Sequence, residues 1–136
     1  MQITRTAPDT EIPPAERFTG AVYLDPMAAP PPPARLRAYS VHFAPGARTA
    51  WHSHPYGQIL LVIEGAGYVQ RRGGPIEVIQ PGDRIWFEPE AEHWHGASRN
   101  RFMTHLAVHE AGDDGKEAAW GPLVTDEEYG ARPAES

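Results

Sequence analysis

The chain has no cysteine among its 136 residues. That excludes disulfide bonds and thiolate metal sites and makes a cytoplasmic setting the expectation. Basic residues are scarce: 12 Lys and Arg against 18 Asp and Glu leave a net charge of −6. Binding a phosphate backbone needs the opposite sign, so nucleic acid is not expected as a partner. Long hydrophobic runs are missing too. The longest, Ile59-Leu60-Leu61-Val62-Ile63, falls far short of the roughly 20 residues that cross a bilayer, and no membrane partner is expected. The stretch from Met1 to Asp9 lacks the apolar segment of a secretory signal.

What is present in quantity is punctuation. Fifteen prolines and 13 glycines fall in short clusters, the pattern of many turns between short strands in an all-β chain. The length suits one domain with a sizeable core. The expected layout over 1–136 is an N-terminal arm (1–34), a barrel over roughly 35–110, and a C-terminal tail (111–136).

Alternation supplies the strands. Gln2 to Thr6 and Ala21 to Asp25 read as short strands, and Pro30 to Pro33 as an extended connector. In Leu36 to Ala44, residues Tyr39, Val41 and Phe43 share a face. In the next run Ala50, His52 and His54 share one. From Gln58 onward both faces are apolar: Leu60 and Val62 point inward with Gln58, while Ile59, Leu61 and Ile63 need cover from another sheet or subunit. Gly67 to Arg72 and Ile76 to Gln80 form a hairpin around Gly73-Gly74. Arg84 to Glu88, His93 to Ala97 and Phe102 to Glu110 follow, with Met103, His105, Ala107 and His109 on one face of the last. Thr125 caps a short helix through Asp126-Glu127-Glu128. About ten short strands in this order fit a small closed or nearly closed barrel. The tryptophans Trp51, Trp86, Trp94 and Trp120 read as packing between sheets or subunits.

Seven histidines is a high count, and His52, His54, His93, His95, His105 and His109 all fall on inward faces. Each neutral imidazole inside a small barrel needs a hydrogen-bond partner or a metal. Pro55-Tyr56-Gly57 turns the chain so that Gln58 brings its amide back beside His52 and His54. Two imidazoles and an amide oxygen from adjacent strands make most of a first-row transition-metal site.

Gly46, His52, His54, Gln58 and Gly65, followed by Pro81-Gly82-Asp83, Pro89 and His93, resemble the two cupin motifs in order and spacing. Gln58 stands where the family usually has glutamate, and Ala91 where a glycine is expected. The resemblance implies a double-stranded β-helix, with His52, His54, Gln58 and His93 as ligands of a divalent metal. A neutral amide in place of a carboxylate leaves the ion its full charge. At ~4 Å and an effective dielectric near 20, one unit of charge acting on an anion is worth about 4 kcal/mol, which favours Lewis-acid work.

The strings around His52-Ser53-His54-Pro55-Tyr56-Gly57-Gln58, His93-Trp94-His95-Gly96-Ala97 and Met103-Thr104-His105-Leu106-Ala107 are similar to the bacterial cupin (R)-selective hydroxynitrile lyases. That resemblance implies manganese, ahead of iron, cobalt, nickel or zinc. It also implies reversible cleavage of a cyanohydrin to an aldehyde and hydrogen cyanide. On this reading His105 is the base, His95 or His109 handles cyanide, and Val41, Leu60 and Met103 shape the aldehyde pocket. A homodimer or homotetramer is expected. The rival expectations for this ligand set are a dioxygenase, a polyketide cyclase or isomerase, and a non-catalytic binding protein.

Overall fold

The computed structural model of the protein describes residues 1–131; residues 132–136, the end of the expected tail, lie outside the described residues. Among the described residues, twelve strands run β1 (Phe18–Thr19), β2 (Val22–Ala28), β3 (Leu36–Phe43), β4 (Arg48–Thr49), β5 (His52–Ser53), β6 (Gln58–Gly65), β7 (Gly67–Arg71), β8 (Ile76–Ile79), β9 (Arg84–Phe87), β10 (His93–Ala97), β11 (Met103–Glu110) and β12 (Ala119–Trp120). One short helix, α1 (Asp126–Gly130), follows. The strands form two antiparallel sheets facing each other: β2-β3-β11-β6-β9, and β1-β4-β10-β5-β12 with the hairpin β7–β8 joined through β7 to β10. This is the all-β double-stranded helix expected.

Alternation decides what faces inward. Val41, Phe43, Leu60, Val62, Val69, Ile79, Phe87, Met103 and Ala107 close one buried core between the sheets. In the β11–β6 ladder Thr104 pairs Glu64 and His105 pairs Val62, so Ile63 is the extra residue of a bulge. The bulge keeps His105, Ala107 and His109 facing in, opposite Val62, Leu60 and Gln58.

A second apolar cluster lies on the far side of the other sheet, where Trp51, Ile76 and Trp94 meet Val124 and Tyr129. Helix α1 brings Tyr129 there. It is held by a complete capping box between Thr125 and Glu128 and by the Tyr129 hydroxyl donating to Ala97 O at 2.7 Å. The Arg48 guanidinium lies 4.5 Å from the Tyr129 ring centre and bonds Asp126 at 2.8 Å. With α1 over its outer face, β10 is buried at every position. Trp94 points into this outer cluster and away from His93 and His95, as expected. Strand β4 presses so close to β10 that a Cβ on Gly96 would sit 2.5 Å from Ala47 O and from Arg48 Cβ. Glycine is required at that point.

Three expectations differ from the structure. Gln2 to Thr6 forms no strand; the arm joins the sheet at Glu11, which bridges Leu24. The continuous strand expected over His52 and His54 is interrupted at Ala50 and Trp51. There the Trp51 amide donates to Pro122 O, and Trp51 O accepts from Gly121 N. Leu60 and Met103 are wholly buried in the central core rather than at the cavity.

The outer face of the five-stranded sheet stays open: Tyr23, Ile59, Ile63 and Trp86 are each more than two-fifths exposed. No helix among the described residues is long and apolar enough to cross a membrane.

Candidate metal centre

Three histidines are oriented by the main chain. His52 Nδ1 donates to Ala50 O at 2.9 Å, His93 Nδ1 to Ala91 O at 2.9 Å, and His54 Nδ1 to Glu117 O at 2.8 Å. A carbonyl oxygen only accepts, so each Nδ1 carries the proton and each Nε2 keeps a lone pair. His52 and His93 are direct cross-strand partners on β5 and β10, and their ring centres are 4.4 Å apart. His54 lies two residues on, just past the end of β5, with ring centres 5.1 Å from His52 and 5.7 Å from His93. Gly57, at φ 84°, turns the chain into β6. A Cβ there would collide with the Trp86 ring, so only glycine lets Gln58 return to the histidines.

These groups form a set of acceptors that lacks donors. Gln58 Oε1 faces His93 Nε2 at 3.3 Å, two lone-pair atoms with no proton between them. His54 Nε2 is buried without a partner. Burial holds the imidazoles neutral: the pKa of His54 is pushed down to about 3 and that of His93 to about 4, while His52 falls well below its ordinary value. Neighbouring histidines add to the effect at His52 and His54. Buried, neutral imine nitrogens converging with an amide oxygen are satisfied by a cation, and the donor set suits a divalent first-row metal.

His95 joins the same cluster. Ligand nitrogens of His52, His93 and His95 all lie within 4.8 Å of one another, so spacing alone selects this trio, which fits a divalent ion. Anchoring selects differently. His52, His54 and His93 are each fixed by a carbonyl, whereas His95 Nδ1 meets His105 Nε2 at 2.9 Å. A carbonyl partner fixes the lone pair, whereas an imidazole partner lets protons exchange. Both histidines are buried, His105 wholly; His95 is held well below its ordinary pKa and His105 at about 4, desolvation being the main cause in each. His95 Nε2 has no partner.

His109 is engaged at both nitrogens. Its Nδ1 meets Gln58 Nε2 at 3.3 Å, and its Nε2 donates to Glu117 Oε1 at 2.8 Å. Its ring stacks on His54 with centres 4.5 Å apart. The His109 hydrogen bond, helped by one from Tyr39, holds the Glu117 carboxyl below its usual range against the effect of partial burial.

A cavity of about 930 Å³ opens on these groups. His52, His54, Gln58, His95 and His109 line it together with Val41, Ala107 and Trp120, but His93 and His105 do not. His105 is behind His95, reached through their hydrogen bond. The seventh histidine, His42, alternates away from Val41 and Phe43 and bonds Asp25 and Thr104 outside this cavity. Glu117 and Trp120 are the residues that sequence reasoning missed in this role. Trp120 stacks on His52, centres 4.6 Å apart and planes at 25°.

The sequence profile described as Cupin domain matches residues 39–109. The chain belongs to the cupin family. This cupin is 53% identical over 116 residues to an (R)-mandelonitrile lyase of Granulicella tundricola, across 85% of this chain and 88% of that one. Among solved structures, a cupin-like protein from Thermotoga maritima superposes with a TM-score of 0.81 at 37% identity, covering 87% of this chain and 89% of that one. A polyketide cyclase from Streptomyces resistomycificus, at 17% identity and a TM-score of 0.70 over 95% of this chain and 89% of its own, shares the fold.

Proposed function

We propose that this cupin is a metal-dependent hydroxynitrile lyase that cleaves an α-hydroxynitrile such as mandelonitrile, reversibly, to aldehyde and hydrogen cyanide. The likeness to the (R)-mandelonitrile lyase, over nearly the whole of both chains, carries the reading. His52, His54, His93 and Gln58 would hold the ion; the donors suit several divalent first-row metals, and the resemblance to the hydroxynitrile lyases puts Mn²⁺ first. When bound, it supplies a Lewis acid for the oxygen on which negative charge develops.

The chain's own groups handle the proton. His95 lines the cavity with an unpartnered Nε2. In the tautomer that leaves a lone pair there, its Nδ1–H donates to His105 Nε2. His95 Nε2 takes the hydroxyl proton. The O–H electron pair becomes the carbonyl π bond, and the C–C pair leaves with cyanide. Buried His95 is a poor holder of positive charge, so the proton returns readily to cyanide and hydrogen cyanide departs. His105 Nε2 accepts from Nδ1 and takes a share of that proton, so the transient positive charge is spread over the two imidazoles. His109, with both nitrogens engaged, orients neighbours rather than receiving a proton. Val41, Ala107 and Trp120 form the apolar wall for the aldehyde group.

The test is release of benzaldehyde from mandelonitrile by Mn²⁺-loaded protein, followed by its absorbance, with the reverse addition analysed for handedness. The expected result is metal-dependent turnover with the (R) product in excess. No cleavage or synthesis of any aromatic or aliphatic cyanohydrin by the loaded protein would end the lyase reading.

A further inference from the structure

We propose that Glu117 is the positioning residue that decides which end of the Gln58 amide faces the metal pocket, acting through His109. This rests on the reading of Gln58 as a ligand but not on the reaction catalysed. Glu117 lies between β11 and β12, beyond residues 39–109 that match the family profile.

Glu117 reaches the site twice. Its main-chain oxygen accepts from His54 Nδ1 at 2.8 Å. Its Oε1 accepts from His109 Nε2 at 2.8 Å and from the Tyr39 hydroxyl at 2.7 Å, with Arg37 Nε 4.0 Å from Oε2. A carboxylate offers only lone pairs, so it fixes the His109 proton on Nε2. With its proton on Nε2, His109 is an acceptor at Nδ1, and the Gln58 atom 3.3 Å away is the amide nitrogen. The amide oxygen is thereby turned toward His93 Nε2.

The direction matters because the opposite one is attractive to the metal-free site. A flipped amide would donate its N–H to the His93 lone pair, satisfying a buried acceptor and presenting a donor where a cation must sit. Glu117, through the His109 tautomer, holds the amide against that flip. Removing outer partners of metal ligands typically costs about 10- to 100-fold in affinity.

The experiment is Mn²⁺ titration of the full chain, reading free ion by its electron paramagnetic resonance. Glu117→Gln keeps the main-chain carbonyl for His54 but frees the His109 tautomer, and should weaken Mn²⁺ binding by about 10- to 100-fold. In a Gln58→Glu background the two ends of residue 58 are equivalent, and the same change should cost less than about threefold. Nitrogen-15 resonances of His109 in metal-free protein should show one tautomer, protonated at Nε2, becoming a mixture in Glu117→Gln. Unchanged Mn²⁺ affinity, equal losses in both backgrounds, or a His109 proton on Nδ1 in the parent would each overturn the proposal. A parent that binds no Mn²⁺ would overturn the ligand role of Gln58 and the proposal with it. A parent that binds Mn²⁺ but cleaves no cyanohydrin would overturn only the lyase reading.

Discussion

Replacing His105 separates proton handling from packing. His105 is fully buried, 2.9 Å from His95 Nδ1, and its ring centre is 5.2 Å from that of Phe43. Alanine there would strand a buried N–H of His95, at a cost of about 1–3 kcal/mol. The emptied ring space adds a packing loss on the order of 2 kcal/mol. His105→Gln avoids most of both losses, since its side-chain oxygen can accept from His95 Nδ1, but a glutamine takes up no proton. His95 must then carry the positive charge alone in a site that already holds its pKa far down. General acid–base assistance is worth about 10²–10⁴-fold. We expect His105→Gln to lose about 10²–10³ in kcat, or about 3–4 kcal/mol of barrier, with metal content and melting temperature near those of the parent. His105→Ala should lose activity and several degrees of melting temperature besides. The assay is the initial rate of benzaldehyde release at saturating mandelonitrile, normalised to bound metal, with calorimetry in parallel. A His105→Gln enzyme turning over within about threefold of the parent would show that His105 serves only to satisfy and pack His95, against the rate expected for proton assistance.

Two further outcomes test the site and the assembly. His54→Ala should bring bound metal to near background while His95→Ala keeps it, measured by metal analysis after dialysis; the reverse order would make His95 the ligand that nitrogen spacing alone selects. Light scattering at micromolar concentration should show at least a dimer that covers Ile59, Ile63 and Trp86 on the open sheet face, and Ile63→Glu should shift it toward monomer, whereas a monomeric parent would refute that cover.

The sequence is most legible where recognition is local. His52, His54 and Gln58 sit within seven positions, so strand alternation and one glycine turn suffice to bring them together. His93 is placed by the second motif and by its pairing with His52. Alternation also separates Trp94 from His93 and His95. It carries no information about depth along the barrel, however. Val41, Leu60 and Met103 all point inward, yet only Val41 reaches the cavity while Leu60 and Met103 fill the core. The same gap explains His105: its inward face is readable, its station behind His95 is not. The break at Ala50 and Trp51 is invisible for a different reason, since its hydrogen-bond partners are Gly121 and Pro122, some 70 positions later in the chain.

Glu117 marks the far end of this scale. Nothing in Gly112-Asp113-Asp114-Gly115-Lys116-Glu117 departs from a solvated acidic loop, and the contact that gives the residue its place spans 63 positions to His54. Yet the segment after β11 completes both sides of the second sheet. Glu117 and Trp120 meet the histidines from the cavity side, while Val124 and Tyr129 cover Trp94 from the outside. Strand β10 carries His93 and His95 between those two layers. The order of the site follows from this arrangement: the two motifs bring the candidate ligands near one another, and the C-terminal segment sets the rotation of His54 and His109. Rotation is what a tautomer and an amide direction depend on, so the chemistry of a histidine-and-glutamine site is decided partly by residues that no ligand motif contains.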